Sequence, residues 1–358
     1  MISGDRAVAS GKQAAFFNTL SELHKHFDRI DVICPRVTPH RYDMVVFGNV
    51  HVHPSPFPVL FQPFWIWYKG RHLMREYGHA LMTVHSYPPF YNDKGAWFLS
   101  RSVSIPFVTE VLHVVGYPRA ANLKELLYRW LTRLILPFYA RRAAAVRVMN
   151  EHEAPQFLRS SGIPRDRMRT LPAVYIDFDA FRPREEERRE FDLVFVGRLA
   201  TNKGLKRFLK IVERTDRSAL IVGEGPLKEW AMRRARRRRL SVTFHGFARD
   251  AHEVGRLINR ARLLLMLSDN EGGPRVVPEA LACGTPVLAT PVGIVTDLLP
   301  PEAIESWDVK ALADKVDNIL SDSALYSRLR EAGLHAVQGM DKKTVVTKYA
   351  DALKGLVS

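Results

Sequence analysis

Short runs of aliphatic and β-branched residues alternate along this chain with stretches that carry apolar residues at helical spacing. In the first half the apolar runs are RIDVIC (29–34), DMVVF (43–47), ALMTV (80–84), PFVTEV (106–111) and AAVRVM (144–149). Residues 14–26 and 123–142 have apolar positions three or four apart, which predicts amphipathic helices. This strand-then-helix order is typical of a parallel sheet covered by helices on both faces. We therefore expect a doubly wound α/β domain.

The same order restarts after the charged stretch REEERRE (184–190). The second set of apolar runs is DLVFVG (192–197), SALIVG (218–223), SVTFHG (241–246), RLLLML (262–267) and TPVLAT (285–290). A length of 358 residues, 46% of them hydrophobic, also favours two cores over one. We expect one domain over residues 1–185 and a second over 186–335. The segment 336–358 predicts a helix that packs back on the first domain.

The chain opens on Met1-Ile2-Ser3 before Gly4, where a doubly wound domain usually has a full apolar strand. Either the first strand is very short or the true start of the protein lies upstream. The two readings stay open on the sequence alone.

The composition of the chain indicates the cellular compartment of the protein more clearly than its binding partner. The formal net charge of +15 fits nucleic acid, an anionic membrane surface or a phosphorylated substrate. Cys34 and Cys283, the two cysteines, both lie in apolar surroundings, so we expect a reducing compartment and no disulfide scaffold. No stretch reaches the roughly 18 apolar residues of a membrane span, and the first residues lack a signal-peptide core. We expect a cytoplasmic protein that meets a membrane, if at all, at its inner face.

Two segments are rich in basic residues. RRARRRR (233–239) has six arginines in seven positions, and PFWIWYKGRHLMREY (63–77) mixes aromatic and cationic residues. Each fits peripheral contact with an anionic membrane, but the first equally fits a solvated helix face and the second a packed core. Neither is accompanied by a known nucleic-acid-binding pattern, so no nucleic-acid partner is expected.

Ligands of open α/β sheets bind beyond the carboxyl ends of the strands, and polar residues follow several runs there. Gly197-Arg198 ends one run, and Lys203-Gly204 stands at the predicted start of the next helix. Two spaced cations and a helix N-terminus favour a diphosphate site, although surface charges would give the same pattern.

The most informative stretch is SDNEGGPRVVPEALACGTPVLAT, residues 268–290. Glu271 begins a Gly-Gly-Pro turn, and Glu279 lies about two turns into a helix that Gly284 stops. Eight residues of helix span about 12 Å, which is too far for two carboxylates that flank one scissile bond. The pair suits the two ends of a long polar ligand, because carboxylates accept hydrogen bonds from sugar hydroxyl groups.

Four segments resemble, in order and spacing, the C-terminal half of glycosyltransferase family 4: VGRLATNKG (196–204), VGEGP (222–226), FHGF (244–247) and SDNEGGPRVVPEALACGTPVLATPVG (268–293). These are retaining enzymes. The resemblance implies the GT-B fold, in which two doubly wound, Rossmann-like parallel-sheet domains face each other across a cleft. It also implies that the N-terminal domain binds the acceptor and the C-terminal domain the nucleotide-sugar. It covers residues 192–298 most specifically and the rest of the chain more loosely.

The resemblance also implies roles for individual residues. Arg198 and Lys203 would bind the donor diphosphate, Glu271 the transferred sugar and Glu279 the ribose. The other implied donor contacts are Gly197, Gly223, Gly246, Phe247, Gly272, Gly273 and Pro274.

The N-terminal half resembles the family at two places. SGDRAVASGKQAAF (3–16) is similar to its glycine-rich first loop but lacks the adjacent glycine pair, and it offers Gly4, Gly11 and Lys12 to a phosphate. IPFVTEVLHVVG (105–116) resembles a segment that places His113 in the cleft, although a structural histidine fits equally well. His51, His53 and His85 also follow predicted strands and are candidate acceptor contacts.

The function implied is metal-independent transfer of a hexose-type sugar from a nucleotide-diphosphate sugar, with UDP or GDP as the nucleotide. The acceptor implied is a saccharide or lipid-linked saccharide, as in cell-surface polysaccharide or glycolipid synthesis. No cofactor is expected beyond the donor substrate. Two alternatives stay open: a catalytically silent nucleotide- or carbohydrate-binding protein on this fold, and another GT-B enzyme such as a sugar-nucleotide epimerase.

Overall fold

The computed structural model of the protein describes residues 1–38 and 43–357. The chain divides into two compact units. Unit 1 contains Met1–Val115, Leu126–Ala173 and the C-terminal segment from Lys342, and unit 2 contains Gly116–Glu125 and Val174–Asp341. Each unit is described separately below.

Helices and strands alternate through both units. The first 173 residues form α1 (Ala15–Leu23), β1 (Ile30–Cys34), β2 (Met44–Val46), β3 (Val50–Pro54), α2 (Gln62–Tyr77), β4 (Met82–His85), α3 (Tyr91–Val103), β5 (Phe107–Val111), α4 (Leu123–Ala140), β6 (Ala145–Val148), α5 (Glu153–Ser160) and β7 (Met168–Thr170). The later residues form β8 (Phe191–Val196), α6 (Leu205–Thr215), β9 (Ala219–Val222), α7 (Lys228–Arg238), β10 (Val242–Gly246), α8 (Ala251–Asn259), β11 (Ala261–Met266), α9 (Val276–Ala282), β12 (Val287–Ala289), α10 (Val295–Leu298), α11 (Val309–Ser321), α12 (Ser323–Ala336) and α13 (Lys342–Lys354).

The sheet of unit 1 is held together at its centre by the first three residues. Ile2 forms parallel bridges to Ile33 of β1 and to Val84 of β4, so it joins the strands β2-β3-β1 to the strands β4-β5-β6-β7. The Ile2 amide donates to Thr83 O at 2.7 Å, and the His85 amide donates to Ile2 O at 2.9 Å. A bridge at the single residue Ile2 therefore occupies the position where the sequence shows almost no apolar run.

Two strands of unit 1 differ from the predicted pattern. β2, within the predicted run 43–47, pairs antiparallel with β3, and the chain reverses at Phe47 and Gly48, which have φ values of 54° and 80°. Positive φ at both central positions is the geometry of a tight hairpin turn. β3 was not predicted, because two histidines alternate with its valines, yet it pairs in parallel with β1.

The C-terminal helix α13 belongs to unit 1. It packs against α1 and buries Val346, Tyr349, Ala350 and Leu353. Packing against α1 therefore covers the apolar face of α13.

Unit 2 has a five-stranded, all-parallel sheet in the order β10-β9-β8-β11-β12. Its inner strands read as largely apolar runs because both faces are covered; Leu263, Leu264 and Leu265 of β11 are almost fully buried. The edge strand β10 is only partly buried. From β8 the chain builds outward to β9 and β10, then crosses back to β11 on the other side of β8. The strand order reverses between β8 and β11, and α/β sheets bind their ligands at such a point.

Candidate functional site

The segments that follow β8 and β11 lie side by side at the reversal point of unit 2, because these two strands are neighbours in the sheet. One segment contains Gly197, Arg198 and Lys203, and the other contains Ser268 to Glu271. Both sequence segments that predicted a donor site therefore reach the same edge of one sheet.

Lys203 and Glu271 are in direct contact, although 68 positions separate them in the chain. The Lys203 ammonium donates to Glu271 Oε1, and the Ser268 hydroxyl donates to the same oxygen at 3.0 Å. Both charged side chains are partly exposed. The result is a cation and a carboxylate held together at the surface of the sheet edge, each accessible to a ligand.

The loop that carries Glu271 is fixed from three directions. The Trp307 indole N–H and the Thr290 hydroxyl donate to Ser268 O at 2.9 and 2.8 Å. The Asp269 amide donates to Asn202 O at 2.8 Å. The Asn270 side-chain amide donates to Glu125 Oε2 at 2.9 Å and also to the backbone of the segment 116–125. These hydrogen bonds fix residues 268–270 and so hold the adjacent Glu271 in position.

A buried carboxylate adjoins this loop. Asp269 is almost fully buried and pairs with Arg207 of α6 and with Arg119, whose Nε lies 3.3 Å from Asp269 Oδ1. Burial raises the pKa of Asp269, and the guanidinium groups of Arg207 and Arg119 act in the opposite direction. The sequence reasoning missed these residues; the signal was three polar residues, Ser-Asp-Asn, directly after the apolar run Leu263 to Leu267.

Two glycines are required by backbone packing at this edge. Gly204 has φ of 77°, and a Cβ there would lie 2.0 Å from Leu267 O; Gly223 has φ of 135°, and a Cβ there would lie 2.0 Å from Gly197 O. Only glycine tolerates both the positive φ and the close approach. By contrast, a Cβ on Gly197 would meet nothing within 4 Å, so the backbone at the end of β8 borders open space.

Arg198 follows Gly197 and is exposed. Within the residues that the structure describes, its guanidinium takes part in no ion pair. Arg198 takes no part in the contact between Lys203 and Glu271. It lies next to the N-terminal turn of α6, which Gly204 precedes.

Glu279 is the fourth residue of α9 and therefore lies in the first turn of that helix, not two turns in as the sequence suggested. The reason is that the Gly-Gly-Pro-Arg turn takes four residues before the helix begins at Val276. Arg275 Nε lies 3.6 Å from Glu279 Oε1. Burial raises the pKa of Glu279, against the opposing charge of Arg275.

The turn between the two glutamates is partly accessible. Gly272 and Gly273 are half-buried and Pro274 is buried. The Val277 amide donates to Pro274 O at 3.0 Å, which closes the turn onto α9.

The end of β10 presents an aromatic ring. Phe247 is 78% exposed and follows Gly246, whose carbonyl accepts the Gly223 amide at 2.7 Å. The neighbouring His245 points to Glu253, with 3.6 Å between Nε2 and Oε1. An exposed ring at the carboxyl edge of the sheet offers a flat apolar face to a planar group.

In unit 1 the glycine-containing first loop is compact. Turn hydrogen bonds close residues 6–12, and Lys12 is exposed while Gly11 has φ of 74°. A Cβ on Gly4 would lie 2.3 Å from the Tyr87 ring, so that ring packs directly over Gly4. In this arrangement Gly4 serves close packing, and Lys12 keeps its charge in solvent.

The candidate histidines fall into two groups. His113 lies two residues beyond β5 and is half-buried. His51 and His53 do not follow a strand as expected; they lie within β3, and His53 Nε2 is 2.7 Å from the buried Asp31 carboxylate. His85 is the last residue of β4 and contacts Glu110 at 3.1 Å.

Glu110 of β5 is the centre of a buried cluster that sequence reasoning missed. It is fully buried and accepts hydrogen bonds from Arg147 of β6 and from the Tyr349 hydroxyl of α13, both at 2.7 Å. Burial opposes ionisation of Glu110, but the charge of Arg147 and the hydrogen bond from His85 outweigh it and hold the pKa below its usual range. The cluster joins β4, β5, β6 and the C-terminal helix of unit 1.

The described residues hold no group of three or more His, Cys, Asp and Glu side chains placed to bind a metal ion. The sequence does contain one Asp-x-Asp string, Asp177 to Asp179. Asp177 Oδ1 accepts the amide of Asp179 at 3.1 Å, so this carboxylate closes its own turn. Among the described helices none is both long and apolar enough to cross a membrane.

Two units built on parallel sheets, with a cation and a carboxylate at the reversal point of the second, define an α/β protein of the Rossmann type. Family comparison gives the particular family. The model for glycosyl transferases group 1 matches residues 177–335, and the model for the glycosyl transferase 4-like domain matches residues 10–173. The chain therefore belongs to glycosyltransferase family 4 and has the GT-B fold.

Individual relatives agree with this placement. Glycogen synthase of Mycobacterium tuberculosis is 30% identical over 192 residues, which are 50% of this chain and 45% of that protein. Sucrose-phosphate synthase of Thermosynechococcus elongatus has a TM-score of 0.76 at 20% identity and covers 99% of this chain and 98% of its own. Anabaena HepE in complex with UDP and glucose has a TM-score of 0.71 at 17% identity, with the same two coverages. The match to curated relatives such as the glycogen synthase spans less than half their length.

Proposed function

We propose that this protein is a retaining glycosyltransferase that moves a hexose-type sugar from a UDP- or GDP-sugar to a saccharide or lipid-linked saccharide. The observation that carries the proposal is the contact between Lys203 and Glu271 at the reversal point of unit 2. A carboxylate accepts hydrogen bonds from sugar hydroxyl groups and an ammonium binds phosphate, so the pair fits the junction of sugar and diphosphate. The UDP and glucose bound to Anabaena HepE support this class of donor.

The chemical task of unit 2 is to stabilise the departing nucleoside diphosphate. When the bond between the anomeric carbon and the phosphate oxygen breaks, negative charge develops on the phosphate. Lys203, Arg198 and the free amides in the first turn of α6 would stabilise that charge electrostatically. In this scheme the charge is met by protein groups, and no resident metal is required.

Retention follows from a front-face substitution. The acceptor oxygen forms its bond to the anomeric carbon on the face that the leaving group vacates, and the acceptor proton passes to a phosphate oxygen of the leaving group. Atoms and charge balance without a nucleophile from the protein. Glu271 acts in this scheme by holding the sugar hydroxyl groups, and exclusion of water would prevent hydrolysis of the donor.

The remaining donor contacts run along the edge of unit 2. Glu279 would accept hydrogen bonds from the ribose, and the amides of Gly272 and Gly273 would meet the phosphates and the sugar. Phe247 would pack against the base. These assignments rest on the family resemblance together with the exposed position of Phe247 and the partial accessibility of the turn.

On unit 1, His113 is proposed to bind a sugar hydroxyl group, and Lys12 to meet a phosphate. The acceptor would belong to cell-surface polysaccharide or glycolipid synthesis at the inner face of the cell membrane. Nucleic acid has no place in this proposal, and the expected peripheral contact with an anionic membrane is independent of it.

The proposal is tested by following a panel of UDP- and GDP-sugars by proton NMR, with and without the protein, in the presence of a mixture of saccharide and lipid-linked saccharide acceptors. We expect one donor to be consumed faster with the protein, and the glycosidic bond formed on the acceptor to keep the anomeric configuration of the donor. A product with the opposite anomeric configuration would contradict retention, and a free sugar altered at another carbon would favour an epimerase. A nucleotide that binds while no donor is consumed would favour the silent binding protein.

A further inference from the structure

The helix α2 of unit 1 carries apolar side chains on two faces. One face packs against α3, where Gly70 meets Leu99 and Gly95 meets Ile66. On the other side of α2 and in the turn before it, four large side chains are each more than half exposed: Leu60, Phe61, Phe64 and Tyr68. Single exposed apolar residues are ordinary, but a contiguous group of this size marks an interaction surface.

The part of α4 within unit 1 shows the same division. Leu136, Tyr139 and Ala140 are buried. Trp130, Leu134 and Phe138 lie four positions apart on one face, and the first two are each 56% exposed. Residues four apart stack along one side of a helix, so these side chains form an exposed stripe.

α3 joins the two exposed groups into one surface. Phe98 and Lys94 of α3 line a groove together with Phe61, Phe64 and other side chains of the α2 region. The neighbouring ring of Trp97 lies 4.9 Å from Phe98 and 5.2 Å from Phe138 of α4, centroid to centroid. The apolar surface therefore continues from α2 across α3 to α4; we call it the aromatic face.

The charges that rest on the rings of the aromatic face are cationic, and the one acid of α2, Glu76, lies at the end of that helix, where it is 3.4 Å from His72. Arg71 lies over the Trp67 ring at 5.1 Å, Arg101 over Trp97 at 5.8 Å and Arg142 over Phe138 at 3.8 Å. Residues 126–142 contain no acidic residue, and the one acid of α3, Asp93, is fully buried. Long cationic side chains that rest on aromatic rings with their charge in solvent are suited to an interface between apolar and anionic groups.

We propose that the aromatic face docks on an anionic lipid bilayer, with its rings at the level of the headgroups and its arginines on the lipid phosphates. Amphipathic surfaces with large apolar anchors and a basic rim bind membranes in this way. The face lies on unit 1, for which the family resemblance implies acceptor binding. That the bilayer carries the acceptor rests on the proposed function, whereas lipid docking itself does not.

The arginine-rich helix α7 of unit 2 is a natural comparison. Arg234 and Arg238 pair with Glu213, while Arg236 and Arg237 are exposed. Its exposed face has charge without aromatic anchors, so it can add electrostatic attraction only. Removing two of its charges is therefore a matched control for the loss of anchors from the aromatic face.

The experiment is sedimentation of the full chain with phosphatidylcholine vesicles and with vesicles that also contain phosphatidylglycerol. We expect binding to the anionic vesicles. Partition should fall about 10-fold or more for Trp130→Ser/Leu134→Ser and for Phe61→Ser/Phe64→Ser, because each pair removes two exposed apolar side chains that would be buried in the bilayer. Val45→Ser, an exposed position on β2, should leave partition unchanged. Arg236→Gln/Arg237→Gln should reduce it by less than either anchor pair.

Melting temperatures close to that of the wild type will show that the variants are folded. Equal sedimentation of the anchor variants and the wild type would overturn the proposal, as would a concentration-dependent dimer through this face without vesicle binding. Donor consumption, measured without vesicles, separates the two ideas. Vesicle binding without donor turnover would support the lipid docking and contradict the proposed function. Donor turnover without vesicle binding would support the proposed function and overturn the lipid docking.

Discussion

Replacement of Lys203 by methionine is expected to lower kcat/KM for sugar transfer by about 10²- to 10³-fold, the usual effect of removing one group that stabilises developing charge. Lys203 stands directly before Gly204 at the start of α6 and contacts Glu271. Methionine keeps the length of the side chain and removes its charge, so the leaving diphosphate loses a fixed cation. Steady-state kinetics with the donor identified by NMR measures the effect.

The matched control is Lys206→Met. Lys206 lies one turn further along α6, with its ammonium 5.5 Å from the centre of the Trp230 ring and no place among the proposed donor contacts. Its loss should change kcat/KM by no more than about threefold, the scale of an exposed charge. If Lys203→Met and Lys206→Met gave the same small effect, Lys203 would not be the diphosphate cation.

The second large effect is expected on stability. Arg147→Met should lower the free energy of unfolding by about 3 to 5 kcal/mol, because it leaves the buried Glu110 carboxylate without its cation. Arg147 is itself buried, and its guanidinium also donates to Leu171 O at 2.9 Å, so that carbonyl loses a partner as well. Denaturant unfolding measures the loss. Arg75→Met, at an exposed position of α2, should cost no more than about 0.5 kcal/mol.

The dependence on pH has a definite sign. The folded-state pKa of Glu110 lies below its unfolded value, so its ion pair contributes stability above about pH 4.5, and that contribution is lost as the pH falls. The difference between wild type and Arg147→Met should therefore stay constant from pH 7 to about pH 4.5 and narrow as the pH is lowered further. Adding Glu110→Gln to Arg147→Met should restore part of the stability at pH 7. A difference that does not narrow below about pH 4.5 would show that the charge of Glu110 is not the cause.

The sequence predicts the fold of unit 2 well, for a physical reason. Its strands β8, β9, β11 and β12 are mostly buried, so each appears as a largely apolar run, whereas the edge strand β10 is only partly buried and alternates polar and apolar residues. β3 of unit 1 does not appear as an apolar run, because His51 and His53 interrupt its valines. The buried His53 is paired with the carboxylate of Asp31 on the neighbouring strand and with that of Asp43, and such pairing between strands has no local signature.

The same distinction between local sequence and tertiary contacts applies to the candidate site. Lys203 and Glu271 each stand in a recognisable turn, so the sequence can nominate both. Their contact depends on β8 and β11 being neighbours, and the support of the loop comes from Trp307 and Asn202, which lie far from it in the chain. These contacts are set by tertiary structure and could not be read from the motif.

The central claim is that unit 2 binds a nucleotide-sugar at the edge that carries Arg198 and Glu279. A thermal-shift screen of UDP, GDP, ADP and their sugar conjugates tests it most directly, because a ligand that binds only the folded state raises the melting temperature in proportion to RT ln(1 + [L]/Kd). We expect one nucleotide to stabilise the wild type, and Arg198→Ala and Glu279→Ala each to lose that response. If no nucleotide at millimolar concentration shifted the wild type, or if both variants responded as the wild type does, the donor site would not be where this account places it.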